Sequence, residues 1–332
     1  MQCTTNERAG QWQGTDKPRK SKMEQHADAR LMLNQMTRIM GANGKERIAE
    51  RMFQCGRVIS TARCADCNKV HSIRVDRMCG HRLCPLCAMR RSRVVAAQGL
   101  AALEWIRQNE PRPYSLHMVT LTQRNVEQGA LAGEMDLLLK AMERLRKIRT
   151  VQRGVIGAAR TIEVTCNINQ REGLIWHPHV HLILMLHGEP QLAIKSWWVD
   201  SWFDLMGLEA RQTKEDLEKC TDVKPLIDQG AVFEVSKYVT KFSDILTGKN
   251  DAVAAPLVAE LDGAVAGRKL QVWTGAWRAA RRALKQQDVE RMNSEDLDEV
   301  VKGCPDCGGE LLNALMRWSG MQYQPMKGDN GK

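Results

Sequence analysis

The run His177-Pro178-His179-Val180-His181-Leu182-Ile183-Leu184-Met185-Leu186-His187 places three histidines at alternate positions and then continues as an apolar segment. Successive side chains of an extended strand point to opposite faces. His177, His179 and His181 therefore share one face, and Val180, Leu182 and Leu184 share the other. A row of imidazoles backed by a buried strand is a ligand set for a divalent cation. The segment Thr161-Ile162-Glu163-Val164-Thr165-Cys166 is two-sided in the same way, with Glu163 and Thr165 opposite Ile162, Val164 and Cys166. If the two strands pair, Glu163 joins His179 and His181. The result is a nitrogen–oxygen donor set suited to Mn²⁺ or Mg²⁺, with positions open for a phosphate. His177, held extended by the following proline, is either a third ligand or a partner behind the ligands. His187 lies past the strand as a surface residue.

A second group sits downstream. Glu234, Tyr238 and Lys241 are spaced i, i+4 and i+7, which places them on one face of a helix. A phenol, a carboxylate and an ammonium are the parts of a covalent phosphoryl-transfer site: the phenol as nucleophile, lysine to offset phosphate charge, the carboxylate to activate a water. The same spacing also describes a half-buried tyrosine flanked by an ordinary helix pair.

The cysteines form pairs. Cys64-Ala-Asp-Cys67 and Cys84-Pro-Leu-Cys87 have the spacing of a four-cysteine structural zinc site, with Cys79, Cys55, His71 and His81 as spare donors. Cys304-Pro-Asp-Cys307 is half of such a site, without obvious partners nearby. A redox role for it would need a βαβ setting, which the surrounding residues lack.

Composition bounds the partners. The chain has 332 residues, eleven cysteines, a net charge of +10 and a pI near 9.1. That balance favours a polyanion, nucleic acid before anionic membrane. No apolar run approaches the ~18 residues needed to span a bilayer. The polar N-terminus lacks the apolar core of a signal peptide, so a cytoplasmic, reducing location is expected, with cysteines serving metal rather than disulfides. Seven basic residues lie between Lys69 and Arg93. Six more lie in 140–153 and six in 268–285, the last with Trp273 and Trp277 four apart. Indole stacking beside arginine holds single strands, and the same spacing suits a core tryptophan pair.

The elements that must position these groups follow from periodicity and breakers. Two helices are expected over 27–55, broken at 41–44, and further helices over 92–109, 131–150, 192–206 and 232–246, with a basic helix over 278–285. Strands are expected over 115–122, 160–167 and 179–186. Strands separated by helices without a Gly-rich phosphate loop indicate an α+β fold with a mostly antiparallel sheet. The segmentation reads as a disordered tail (1–25), a helical segment (26–54), a basic zinc module (55–93), a nuclease domain (94–248) and a C-terminal region with the basic helix and the last cysteine pair (249–332).

Together these motifs resemble the HUH endonucleases. His179-Val180-His181 matches the His-hydrophobic-His metal motif, Tyr238-Val239-Thr240-Lys241 the tyrosine helix, and Val119-Thr120-Leu121-Thr122 the upstream strand motif. Cys79-Gly-His-Arg-Leu-Cys84-Pro-Leu-Cys87 is similar, with one extra residue, to the cysteine run of rolling-circle initiators of small bacterial plasmids. The resemblance covers residues 55–245. It implies a palm-like sheet and a metal-dependent nickase and strand transferase. In that reading Tyr238 attacks the scissile phosphate of single-stranded or cruciform origin DNA, leaving a 5′-phosphotyrosine and a free 3′-hydroxyl. Host helicase and polymerase are the implied partners. Glu234, where two-tyrosine relatives have their second tyrosine, resembles the branch that ends the cycle by activating water. An HUH transposase, or a non-catalytic zinc-dependent nucleic-acid-binding protein, are the alternatives.

Overall fold

A computed structural model describes residues 20–122, 125–169, 173–207, 213–226, 242–246, 250–286 and 303–326. Their elements, in chain order, are α1 (Lys22–Ala42), α2 (Glu46–Gln54), β1 (Val58–Cys64), β2 (Val70–Val75), α3 (Pro85–Asn109), β3 (Ser115–Thr122), β4 (Val126–Glu127), α4 (Leu131–Leu145), α5 (Arg149–Gly154), β5 (Val155–Asn169), β6 (Gly173–Leu186), a 3₁₀ turn (Pro190–Ala193), α6 (Lys195–Met206), α7 (Lys214–Cys220), β7 (Asp222–Pro225), α8 (Phe242–Leu246), α9 (Asp251–Val265), β8 (Gln271–Thr274), α10 (Gly275–Gln286), β9 (Leu311–Trp318) and β10 (Tyr323–Pro325). The class is α+β with antiparallel sheets flanked by helices. Among the described residues no helix is long and apolar enough to cross a membrane.

The chain divides into two compact units. One draws its described residues from Trp12–Val94, Ile245–Ala259 and Asp288–Lys332, the other from Val95–Asp244 and Glu260–Gln287. We call them the cysteine unit and the histidine unit.

In the cysteine unit, α1 starts earlier than periodicity alone indicates. Ser21 and Glu24 form a capping box in which each side chain accepts from the other's backbone N–H, satisfying two of the helix's orphan donors. Arg30, 1 % exposed, donates to the carbonyls of Phe53 (2.7 Å) and Met52 (3.5 Å), so a buried guanidinium closes the C-terminal end of α2. A four-stranded sheet follows in the order β10-β9-β1-β2. The C-terminal residues, read from sequence as part of a separate region, thus pair directly with β1, with Thr61 opposite Ala314. Ile59, Trp318 and Tyr323 form a small core, and the Tyr323 hydroxyl donates to the Gly56 carbonyl at 2.7 Å. α3 starts at Pro85, where a proline's missing N–H costs nothing in the first helical turn.

The histidine unit is built on a sheet of order β7-β3-β6-β5-β8, with β4 pairing β6. Every pairing is antiparallel. β5 and β6 form its long central hairpin, longer at both strands than the alternation predicts. Pro178, which has no N–H to give, comes where the β3 ladder has already ended at Thr122 opposite His179. One sheet face buries Val119, Leu121, Ile162, Val164, Val180, Leu182 and Leu184. Trp202 of α6 is fully buried and donates from Nε1 to the Thr122 carbonyl at 2.8 Å, fixing the end of β3. On the opposite face Ile183, Met185 and Ala159 pack against Ala102, Leu103 and Ile106 of α3 and Ala276, Trp277 and Ala280 of α10. That cover leaves the histidine end of the same face for polar groups.

The turn from β8 into α10 is tight. Gly275 has φ +54°, and a Cβ there would lie 2.1 Å from the Ile156 carbonyl oxygen. Gly275→Ala combines left-handed strain with overpacking, each about 1–3 kcal/mol. It is expected to lower the melting temperature of the chain by several degrees, measured by circular dichroism. An unchanged melting temperature would contradict this turn.

Candidate metal centres

Register builds the first centre. Glu163 of β5 lies directly opposite His179 of β6, and Thr161 opposite His181. His179 Nε2 is 2.9 Å and His181 Nε2 3.2 Å from the same Glu163 oxygen, Oε2. Each imidazole is 12 % exposed and the carboxylate 6 %, so the cluster is largely shielded from water. Burial pushes the Glu163 carboxyl up, but hydrogen bonding and charge from His179 and His181 more than offset it, leaving it well below the ordinary carboxylate range.

The far sides of the rings are held as well. His179 Nδ1 is 3.3 Å from the His177 carbonyl oxygen, which can only accept, so Nδ1 is the donor there and Nε2 is the atom that faces Glu163. His181 Nδ1 meets the Thr120 hydroxyl at 3.2 Å. His177 is occupied at both nitrogens, by Asn125 Oδ1 (2.7 Å) and Thr122 Oγ1 (3.1 Å). It stands behind the cluster rather than in it, and burial first, then His179, lower its pKa to about 4. Two imidazole nitrogens and a carboxylate oxygen converge here, an arrangement that holds together only with a proton or a cation among the three. Glu163 Oε1, moreover, is buried without a hydrogen-bond partner among the described residues. This donor set fits a divalent cation, with ring N–H groups oriented from behind as metal-ligating histidines require.

The cysteines form two quartets, both in the cysteine unit. Cys55, Cys79, Cys84 and Cys87 are all buried. Cys64, Cys67, Cys304 and Cys307 include the exposed Cys307. Sulfur separations are 3.5–3.7 Å in the first and 3.4–3.5 Å in the second. A disulfide needs ~2.05 Å. Four thiolates around a tetrahedral zinc at ~2.3 Å stand about 3.8 Å apart, so both quartets are zinc-sized. The Cys67 N–H points at Cys64 Sγ, which lowers that thiol to about 7.

The family described as "Replication protein" matches residues 70–324. The chain belongs to the replication-protein family. The motif resemblance to rolling-circle plasmid initiators is thereby borne out at the level of the family. Relatives of this replication protein include the protein rep of Bacillus amyloliquefaciens, 28 % identical over 316 residues that cover 88 % of each chain. Another is the protein rep of a Bacillus species, 28 % identical over 271 residues, 76 % of this chain and 85 % of the relative. A third is the protein rep of Streptococcus pneumoniae, 25 % identical over 280 residues, 78 % and 80 % of the two chains. No solved structure matches.

Against the sequence reading, the replication protein brings Glu163, His179 and His181 together and sets His177 behind them. The single quartet expected of Cys64, Cys67, Cys84 and Cys87 does not form. β1 runs seven residues from Val58 to Cys64, roughly 20 Å. It carries the 64–67 knuckle away from Cys55, Cys84 and Cys87, and the C-terminal pair completes it there. Glu234, Tyr238 and Lys241 lie outside the described residues. Thr120, Thr122 and Asn125 went unassigned as partners of the histidines, although alternation within Val119-Thr120-Leu121-Thr122 puts both hydroxyls on the histidine face. The sequence did mark the turns at these cysteines, though not their grouping. Cys55, Cys67, Cys79 and Cys307 are each followed by a residue with positive φ: Gly56, Asn68, Gly80 and Gly308.

Thr120→Val removes the oxygen behind His181 while keeping shape. Loss of such an orienting partner typically costs 10–100-fold in metal affinity. Mn²⁺ binding measured by calorimetry is expected to weaken by about that factor, and an unchanged affinity would remove Thr120 from the centre.

Proposed function

We propose that this replication protein is a rolling-circle initiator that nicks one DNA strand at an origin by a covalent tyrosine mechanism. The observation that carries the reading is the convergence of His179 Nε2 and His181 Nε2 on buried Glu163 Oε2. A Mn²⁺ or Mg²⁺ ion held by these three side chains would supply Lewis-acid polarisation of a phosphate. The Tyr238 phenol oxygen gives up its proton to solvent and forms a bond to the scissile phosphorus as the bond to the 3′-oxygen breaks. The departing oxygen takes up a proton to become a 3′-hydroxyl, and the 5′-phosphate stays on Tyr238. Lys241 offsets charge on the non-bridging oxygens. Glu234 later removes a proton from water, which attacks the phosphotyrosine and returns the free phenol. Membership of the replication-protein family favours this reading over a transposase.

Incubation of the full chain with single-stranded origin DNA and Mn²⁺ should give a protein–DNA adduct that survives denaturant. Tyr238→Phe should abolish it with DNA binding retained, and Glu234→Ala should let adduct accumulate. Adduct formation by Tyr238→Phe would refute the nucleophile. No adduct from the native chain under any divalent metal would favour a non-catalytic binding protein.

We further propose that both cysteine quartets hold structural zinc, the second tying β9 to the β1–β2 hairpin across 237 residues of chain from Cys67 to Cys304. Zinc binding of this kind is worth about 10–16 kcal/mol in small domains. Elemental analysis should return two zinc per chain, falling to one in Cys304→Ser/Cys307→Ser, with faster proteolysis of 303–326. One zinc in the native chain would contradict the pair.

A further inference from the structure

Two tryptophans four residues apart in a basic segment can be core or binding surface; here their rings meet edge to face at 6.0 Å but differ in exposure. Trp277 is 1 % exposed and packs with Ile183 and Met185. Trp273 packs on the rim of the same cluster and is only partly buried, with the Arg281 guanidinium over its ring at 5.2 Å. Trp273 lies opposite Ala159 and Gln271 opposite Thr161, on the sheet edge next to the strand that carries Glu163. Since Ala159, Thr161 and Glu163 alternate onto one face, Trp273 and Gln271 share the face of the metal cluster. Four residues of strand separate Ala159 from Glu163, about 13 Å.

α10 continues from this edge. Its buried residues Ala276, Trp277 and Ala280 fall on one side, and Arg278, Arg281 and Arg282, all exposed, on the other, with Lys285 a turn further on the same stripe. The helix contains no acidic residue. Among the described residues, none of the three arginines has an acidic partner. A guanidinium held over an indole keeps its donors directed outward for a phosphate.

We propose that Trp273 and the Arg278/Arg281/Arg282 stripe are a single-stranded-DNA track that delivers the strand to the Glu163–His179–His181 cluster. The track rests on the nickase reading for its purpose, and its ligand chemistry stands on charge and stacking: phosphates on the guanidiniums and a base at Trp273. A duplex or an acidic protein would not use the indole.

The test is equilibrium binding of a fluorescent 20-nucleotide thymidine strand to the full chain in chelator, across 50–200 mM salt. Each phosphate contact on a single strand contributes about 0.7 to the salt slope. Arg278→Gln/Arg281→Gln/Arg282→Gln should therefore lower the slope by about 2, and Trp273→Leu should weaken binding by about 5- to 100-fold with the slope kept. The charge-matched variant Lys147→Gln/Arg149→Gln/Arg153→Gln should change single-strand binding far less. An equal loss in both triple variants, an unchanged slope, or a loss seen for duplex but not single-stranded DNA would each overturn the track. Chelator removes the cleavage step, so the outcome is independent of Tyr238. Failure of the track with adduct formation intact refutes the track alone, and loss of the adduct with the track's slope intact refutes the nickase reading alone.

Discussion

Everything in the histidine unit depends on the register between β5 and β6. Side chains alternate with period two, so a slip of one residue would turn Glu163 to the apolar face and bring Ile162 or Val164 to the imidazoles. The register is held from both directions. On the apolar face Val164, Ile162, Val180 and Leu182 are all buried and cannot be exchanged for polar neighbours without loss of core. On the other face Ile183 and Met185 continue the histidine row under α3 and α10. The same strand is thus polar at one end and apolar at the other on a single face. That division confines Glu163, His179 and His181 to a shielded patch, where a carboxylate and two imidazoles interact strongly.

β3 contributes orientation to that patch. Thr120 and Thr122 place hydroxyls behind His181 and His177, and Trp202 holds the end of the strand through the Thr122 carbonyl. An imidazole free to rotate would spend little time with Nε2 directed at Glu163. One fixed by a carbonyl or hydroxyl at its far nitrogen is set before any cation arrives. The strand motif upstream of the histidines is therefore part of the centre without touching Glu163.

The cysteine unit solves a different problem. Its apolar cluster around Ile59, Trp318 and Tyr323 is small. Its sheet joins β1–β2 to strands more than 230 residues later in the chain. Closing so long a connection costs entropy that a few apolar contacts offset poorly. Sulfur quartets gather these segments at both ends of β1: one brings together α2, the loop before α3 and the start of α3, and the other brings the β1–β2 turn to the segment before β9.

The sequence by itself determined what depends on neighbours along the chain. Alternation put His179 and His181 on one face and Glu163 on its own strand, 3.6-residue spacing marked α4 and α6, and paired cysteines announced metal. It missed the early start of α1 and α3 only where the Ser21–Glu24 box and Pro85 were passed over. The tertiary structure alone decided which cysteines share a quartet, that the C-terminal strands join β1, and that Trp277 is fully buried while Trp273 stays partly open beneath Arg281. These are pairings between residues far apart in the chain. Nothing in local spacing records the distance a seven-residue strand puts between two knuckles, or which distant pair is waiting at its far end.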